Sequence, residues 1–482
     1  MASYLLMFWP AKVRKIGRTF VFLPPFVNGF FMKIRQFFSV LTFLFVWILC
    51  CQNVDAQSRY YYKADSLPNA VYYLPAPPDT SDMLFAADFY QWIWGKSMRP
   101  TPRGVQASWE SLYGVERMAT IFGEVLGITI TKEETPAIWT LLQRAGSTGN
   151  RAVSLAKKHY MRVRPFARTN EHVAGEFDDE EGLRKNGSYP SGHTAHGWGA
   201  ALAMAEMLPE CQDTILRRGF EYGQSRVIVG AHWQSDVNAG YLASSVAFAF
   251  MHRHPDYARD LAAARAEVLK LRPELAKQKP VYPDATRILD APVTTESPLY
   301  YGDVAAYWLA KAERNTERGR QAITDADGSV ETLLKGFSDA AGVELSVSGT
   351  PNTAALLAWT RNTLLAEAGR LKKTTFRERP FVRFGEPSLI PEDEAESAGS
   401  SSYPSASATL GWGMALVLTE LAPSHQNEIL KYGYEYGYSR IIAGYHFASD
   451  VQAGRILAAC VLARMHNDPV FRELLEKAQK EW

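Results

Sequence analysis

Gly187-Ser188-Tyr189-Pro190-Ser191-Gly192-His193-Thr194 can be read in two ways, and both matter. As local structure it starts a helix: a proline turn, Ser191 as N-cap, and Gly-His-Thr in the first turn. The residues that follow, Ala200 to Leu208, are apolar on nearly every side of the helical wheel, as are Ala239 to Phe250. Helices of that kind are buried all round. No stretch keeps a strict apolar–polar alternation, so strands should be few and the fold class is all-α. As chemistry, the same octet presents a small Ser-Gly pair whose hydroxyl and bare N–H can approach an anion. A histidine follows, the side chain best suited to trade a proton near neutral pH.

Moving outward, the chain repeats itself at an offset of 214 to 215 residues. Leu74-Pro75-Ala76-Pro77 matches Leu289-Asp290-Ala291-Pro292, and Asp88 matches Asp303. Thr135-Pro136 matches Thr350-Pro351, and Gly197-Trp198-Gly199 matches Gly411-Trp412-Gly413. The strongest block aligns Phe220-Glu221-Tyr222-Gly223-Gln224-Ser225-Arg226 with Tyr434-Glu435-Tyr436-Gly437-Tyr438-Ser439-Arg440, and Met251-His252 aligns with Met465-His466. Two tandem homologous helical domains follow, residues 57–270 and 289–482. They are joined through a polar, proline-punctuated linker at 271–288.

Within the first copy, Lys157, Arg164-Pro165, Ser191-Gly192-His193, Ser225-Arg226, His232 and Asp236 form a spaced constellation. Two arginines, a lysine, a hydroxyl and a glycine N–H are a donor set for a tetrahedral oxyanion. His232 and Asp236 are four apart, on one face if that segment is helical. The carboxylate then holds one ring nitrogen and leaves the other lone pair free, while His193 remains to protonate a leaving group. Each piece has a bland counterpart: Lys-x6-Arg-Pro as helix-end decoration, His and Asp at i, i+4 as a surface pair. Two histidines and an aspartate also fit a metal site, but three neighbouring cations would repel a divalent ion. The joint pattern is far more specific than its parts.

These blocks resemble the signature of the type 2 phosphatidic acid phosphatase superfamily, which also contains the vanadium-dependent haloperoxidases. The full octet resembles the soluble branch, the class A bacterial non-specific acid phosphatases, duplicated here over residues 74–255 and 289–469. The resemblance implies that Lys157, Arg164, Ser191, Gly192 and Arg226 bind phosphate. It implies that His232 attacks phosphorus to give a phosphohistidine, that Asp236 orients His232, and that His193 is the general acid. That mechanism calls for no metal and no cofactor.

The second copy keeps Lys372, Arg379-Pro380, Ser439-Arg440, His446 and Asp450, but its central block reads Tyr403-Pro404-Ser405-Ala406-Ser407. Ser407 stands where His193 stands, and Ala406 replaces the glycine. A nucleophile and an anion cradle survive without a proton donor, a loss worth on the order of 10²–10⁴ in rate. The second domain is therefore expected to be weak or inactive, serving as a structural partner or a phosphate holder.

Composition sets the remaining bounds. The chain has 482 residues and a formal net charge of +1. The first 56 residues hold six Lys/Arg against one acidic residue, which leaves 46 basic and 50 acidic residues, a net of about −4, in the remainder. That balance argues against nucleic acid as a partner. Met32-Lys33-Ile34-Arg35, the apolar run Phe37 to Cys51, and Val54-Asp55-Ala56 read together as a signal peptide within residues 1–56, with Met32 as an alternative start. The mature chain is expected to be exported, periplasmic or secreted, without stable membrane insertion. Cys211 and Cys460 fit either a disulfide or two free thiols. The acidic run Glu176 to Glu181, echoed by Glu392 to Glu396, reads as a solvated loop placed where a lid could lie. His196 reads as bystander rather than site residue, and Tyr60-Tyr61-Tyr62 as a poorly ordered lead-in.

The resulting expectation is an acid phosphatase acting on small phosphate monoesters and releasing inorganic phosphate. The rival readings are a vanadium haloperoxidase, a lipid phosphate phosphatase and a non-enzymatic phosphoester receptor.

Overall fold

A computed structural model describes residues 58–176, 179–422 and 424–482. The segment read as a signal peptide, with Met32 and the cut after Ala56, lies outside the described residues, as do Phe177 and Asp178 of the acidic run. The described residues form helices and no strand, as the buried apolar runs predict. No helix among them is long and apolar enough to cross a membrane.

Among the helices of the first repeat that recur in the second, six carry the core and the contacts between the repeats. They are α1 (Ala70–Tyr73), α2 (Met83–Met98), α3 (Pro136–Ala152), α4 (Gly192–Met207), α5 (Gln212–Ile228) and α6 (Gln234–Met251). Their counterparts are α7 (Ala285–Ile288), α8 (Tyr300–Ala312), α9 (Pro351–Thr374), α10 (Ala406–Leu421), α11 (Gln426–Ile442) and α12 (Ala448–Met465). The octet's helix, α4, is the centre of its repeat. All sixteen of its residues are buried, and it packs on α3, α5 and α6. A helix with no wet face has no amphipathic stripe to display. α10 holds the same place among α9, α11 and α12.

The repeats pack against one another through reciprocal contacts, and Arg59–Trp482 is one compact unit. α1 lies on α11 of the second repeat, and α7 lies reciprocally on α5 of the first. The polar contacts follow the same exchange. Asn69 N–H donates to Asn427 Oδ1 at 2.9 Å, and its equivalent Asp284 N–H donates to Asp213 Oδ1 at 3.0 Å. α2 meets α8, α4 meets α12, and α6 meets α10. One hydrophobic cluster runs through both repeats, with Trp198 and Trp412 fully buried in it. The connection at 271–288 carries a short 3-10 turn, Pro273–Lys277, and ends in α7.

Three expectations change or close here. Tyr60-Tyr61-Tyr62 is not a loose lead-in. Tyr61 is 5% exposed, its hydroxyl donates to Asp260 Oδ2 at 3.1 Å, and its ring lies under the Arg144 guanidinium at 4.2 Å. Tyr62 packs edge-on to Phe250. Aromatic rings with a polar handle gain more from such cover than from water. Cys211 and Cys460 are free thiols. His232 and Asp236 do not share a helix face, because α6 begins only at Gln234.

Candidate active site

The first-repeat site is assembled at the N-terminus of α4. Ser191 adopts the extended N-cap conformation and its Oγ accepts from Thr194 N–H at 3.2 Å. Its own N–H donates to the Asp236 carbonyl at 2.8 Å, which ties the octet to α6. Gly192 has to be small: a Cβ there would run into Asn150 Oδ1 and sit 3.3 Å from Lys157 Cε.

α5 delivers Arg226 at its last turn and is stopped by Gly230, whose φ of 81° suits a glycine after a helix end. The turn folds back, with Ala231 and His232 N–H both donating to the Arg226 carbonyl, and so presents His232 beside Arg226. The next helix starts with Asp236 at its third position, where Oδ2 accepts from Trp233 N–H at 2.9 Å. A capping turn, not a helical i, i+4 pair, therefore brings Asp236 to the imidazole.

His232 is buried, and both ring nitrogens are accounted for. Nδ1 lies 3.3 Å from Ser188 Oγ and 3.4 Å from Asp236 Oδ2. Ser188 Oγ in turn donates to Asp236 Oδ2 at 2.5 Å. A carboxylate only accepts, so the hydroxyl gives its hydrogen to Asp236 and takes the one on Nδ1. Nε2 is left with its lone pair, 2.9 Å from Arg164 Nη1. Burial, then the Arg164 charge, drives the His232 pKa well below the usual imidazole range. Asp236 goes the other way: burial opposes its charge, but Arg162 and His232 outweigh it and hold the carboxyl well below the ordinary range.

Arg164 caps the short helix Pro165–Thr169. Its Nε donates to the carbonyls of Leu183 and Asn186 at 3.0 and 3.1 Å, and Nη1 donates to Ala231 O at 3.0 Å. The segment after the acidic run therefore acts as a strut for Arg164. Within that run, Asp179 caps the helix Glu180–Arg184 and Glu180 accepts from Val173 N–H at 2.8 Å. Lys157 Nζ donates to Gly187 O at 2.6 Å. Burial, then Arg164, lowers its pKa well below the lysine range.

His193 stacks on Tyr222, with centroids 4.2 Å apart, and its Nε2 meets Glu110 O at 2.9 Å. A carbonyl can only accept, so Nε2 carries the hydrogen and Nδ1 remains for a ligand. Burial, then Arg226, lowers its pKa well below the usual value. Glu110 itself is fully buried; its carboxylate bonds Ser225 Oγ and Arg218. Tyr113, 47% exposed, lies beside both His193 and His196, and its hydroxyl is 3.2 Å from His196 Nδ1.

Sequence reasoning missed the frame behind Asp236. Arg162 Nη1 bonds Asp236 Oδ1 at 2.6 Å, and Nη2 bonds Asp88 Oδ2 at 2.7 Å. Asp88 also accepts from Ser235 N–H at 2.8 Å. Asp88, Arg162 and Ser188 all recur identically in the second copy, as Asp303, Arg377 and Ser402; that recurrence was the available signal.

The second repeat rebuilds this frame. Arg377 bridges Asp450 and Asp303 at 2.5 and 2.7 Å, and Ser402 Oγ donates to Asp450 Oδ2 at 2.5 Å. Lys372 Nζ donates to Ser401 O at 2.5 Å, with its pKa lowered to about 7 by burial and by Arg379. Arg379 Nη1 is 3.3 Å from His446 Nε2, and Ser405 caps α10. Three differences stand out. Ser407 offers no imidazole against Tyr436. His446 Nδ1 is 3.9 Å from Asp450 Oδ2, against 3.4 Å between their first-repeat equivalents, and burial raises the Asp450 pKa. Tyr445 replaces Ala231, and its ring lies under Arg440 at 4.6 Å. Arg440 Nε and Nη1 are buried without a hydrogen-bond partner among the described residues.

An all-α bundle that gathers two arginines, a lysine and two histidines around a helix N-terminus defines a class of oxyanion-handling proteins. The family model described as PAP2 superfamily matches residues 139–260 and again 353–473, and the chain belongs to that family. Among curated relatives, the "Non-specific acid phosphatase" of Providencia stuartii is 42% identical over 214 residues, covering 44% of this chain and 86% of the relative. The "Non-specific acid phosphatase" of Salmonella typhimurium is 42% identical over 209 residues, 43% of this chain and 83% of the relative. The "Acid phosphatase" of Zymomonas mobilis is 34% identical over 221 residues, 46% and 82%. Each such match spans about the length of a single repeat.

Proposed function

We propose that the first repeat hydrolyses phosphate monoesters through a phosphohistidine on His232, and that the second repeat is its non-turning-over partner. The chain is an acid phosphatase, a phosphoric monoester hydrolase, in line with its family and with the named activity of its relatives. The observation that carries the site assignment is the unprotonated Nε2 of His232, which accepts from Arg164 Nη1 at 2.9 Å while Ser188 and Asp236 hold Nδ1.

In this reading Lys157, Arg164, Arg226, Ser191 and the N–H groups of Gly192 and His193 neutralise the phosphoryl oxygens. The Nε2 lone pair attacks phosphorus as the ester P–O bond breaks, and His193 Nδ1 gives its proton to the departing oxygen. Water then attacks the phosphohistidine, returns a proton to His193, and releases inorganic phosphate. His193 is neutral in the empty site, so its proton has to arrive with the substrate. A bound phosphate dianion offsets the Arg226 charge, or a monoanion brings the proton itself, and either route favours acidic pH.

For the second repeat, Ser407 supplies no acid, and the unpartnered N–H groups of Arg440 favour phosphate holding. The domain limits 57–270 and 289–482, with export to the periplasm or medium, belong to the same proposal; export rests on the basic-then-apolar segment from Met32 to Ala56.

The test is hydrolysis of a chromogenic monoester across roughly pH 4–8, a span that brackets histidine titration. Under this reading His232→Ala abolishes turnover while His446→Ala retains most of it. Comparable losses from both changes would mean that Ser407 is not disabling.

A further inference from the structure

Four titratable side chains that the phosphate site does not use meet where the repeats join. Glu206 and His252 come from the first repeat; Glu420 and His466 are their equivalents in the second. His252 Nε2 lies 3.0 Å from Glu206 Oε2, and His466 Nε2 lies 3.0 Å from Glu420 Oε1. The two imidazoles stack face to face, with centroids 3.5 Å apart and planes within 9°. Donor atoms of Glu206, His252 and His466 all lie within 4.8 Å of one another. The carboxylates are buried, with side chains 5% and 1% exposed.

Two details distinguish this cluster from a pair of ordinary ion pairs. His252 Nδ1 is 3.1 Å from the Phe248 carbonyl, so its hydrogen is committed there and Nε2 is the nitrogen free to change partner. A backbone carbonyl holding the remote nitrogen is how metal-binding histidines are commonly oriented. Glu420 Oε2 is buried with no hydrogen-bond partner among the described residues. The matching carboxylate, Glu206, receives Tyr257 Oη at 2.7 Å, but Phe471 occupies the place of that tyrosine in the second repeat. A buried carboxylate oxygen is thus left without a donor.

We propose that Glu206, His252, Glu420 and His466 form a divalent metal site between the repeats, with zinc as the cation that its donor set favours. Two imidazole nitrogens and two carboxylate oxygens suit four-coordinate Zn²⁺. Their charge balances as well: two carboxylates and two neutral imidazoles cancel a dication. Coordination uses the Nε2 lone pair of each imidazole, so metal binding is expected to weaken as pH falls. To coordinate, each ring turns out of the stack so that its Nε2 lone pair meets the shared point, while Tyr257 keeps its bond to Glu206. Such a site clamps α4 and α6 to α10 and α12 and takes no part in phosphoryl transfer, so the inference stands apart from the catalytic reading.

The test uses the full chain without a histidine tag, stripped by chelator and then dialysed against Zn²⁺ or Co²⁺. Elemental analysis is expected to find one Zn²⁺ per chain, and Co²⁺ to give the intense visible bands of a tetrahedral site. His252→Asn and His466→Asn should each lose the metal and the accompanying rise in thermal midpoint. Their retained monoester hydrolysis reports that they are folded. If the stripped wild-type chain takes up no more metal than His252→Asn and His466→Asn do, or if bound Co²⁺ has the pale octahedral spectrum, the four residues are stacked ion pairs and the proposal fails.

Discussion

Arg164 Nη1 lies 2.9 Å from His232 Nε2, so the residue proposed to grip phosphate also favours the unprotonated form of the proposed nucleophile. Burial is the larger cause of the low His232 pKa and Arg164 the next. Removing the guanidinium should therefore do two things at once. Arg164→Ala is expected to lower kcat/KM by about 10²–10³, the usual cost of losing one oxyanion donor. It should also move the acid limb of the pH profile upward, because His232 then takes up a proton at higher pH. A loss of rate with an unmoved acid limb would mean that Arg164 only binds.

His193 carries a different signature. Stacked on Tyr222 and hydrogen-bonded to Glu110 O, it has a fixed ring, and the proposed reaction uses its Nδ1 to protonate the leaving group. His193→Ala should slow hydrolysis of alkyl phosphates by about 10²–10⁴. The loss should be much smaller for p-nitrophenyl phosphate, whose leaving group needs little protonation. Rates on the two ester classes, measured side by side, decide this. Equal losses would assign His193 to binding rather than proton transfer.

Much of this site was legible in the sequence. The octet announced both the N-cap at Ser191 and the histidine behind it, and Ser407 marked where the second copy lacks that histidine. What could not be read locally was convergence. Arg162 matters because Asp88, 74 residues upstream, and Asp236, 74 downstream, close on it. No window holds all three. His232 and Asp236 were placed on a helix face because their spacing allowed it, whereas a capping turn does the work. The pairing of the repeats was not legible, since α1 and α7 cross to the other repeat, and no periodicity encodes an exchange of partners.

Arg162 is accordingly a positioning and structural residue. Arg162→Ala leaves two buried carboxylates, Asp88 and Asp236, facing one another without their shared cation. Breaking a buried ion pair in this way costs about 3–5 kcal/mol, so the thermal midpoint should fall by several degrees. Arg377→Ala should do the same through Asp303 and Asp450. If the first-repeat reading holds, only Arg162→Ala should also cut activity in whatever fraction stays folded. Thermal melts with parallel assays separate the two effects.

The second repeat invites a gain of function. Tyr436 still stands where Tyr222 stacks on His193, and His446, Arg379 and Lys372 keep the frame. In a His232→Ala background, the paired change Ala406→Gly with Ser407→His should restore slow but measurable hydrolysis. The expected rate is below that of the first repeat, because His446 is 3.9 Å from Asp450 and Tyr445 crowds Arg440. Adding Tyr445→Ala should raise it further. No recovery in either variant, with phosphate still bound, would place the defect in the His446–Asp450 geometry rather than at Ser407.

The interface between the repeats sets an alkaline limit on stability. Burial disfavours the His252 charge, but Glu206 and Glu420 outweigh it and push the pKa up to about 9. A histidine raised in the folded state contributes stability that is fully present below its unfolded value of about 6.5 and lost as pH climbs through the folded value. In chelator-treated protein, stability should thus decline between roughly pH 6.5 and 9, by about 3 kcal/mol over the full span, and the thermal midpoint should fall with it. Glu206 is coupled with the opposite sign: its pKa is lowered, against burial, by His252 and His466, so it loses its contribution on the acid side. Glu206→Gln removes the partner of His252, and the alkaline slope should flatten with it. Melts of both proteins across that window provide the check. A slope that survives in Glu206→Gln would trace the alkaline loss to groups other than this stacked pair.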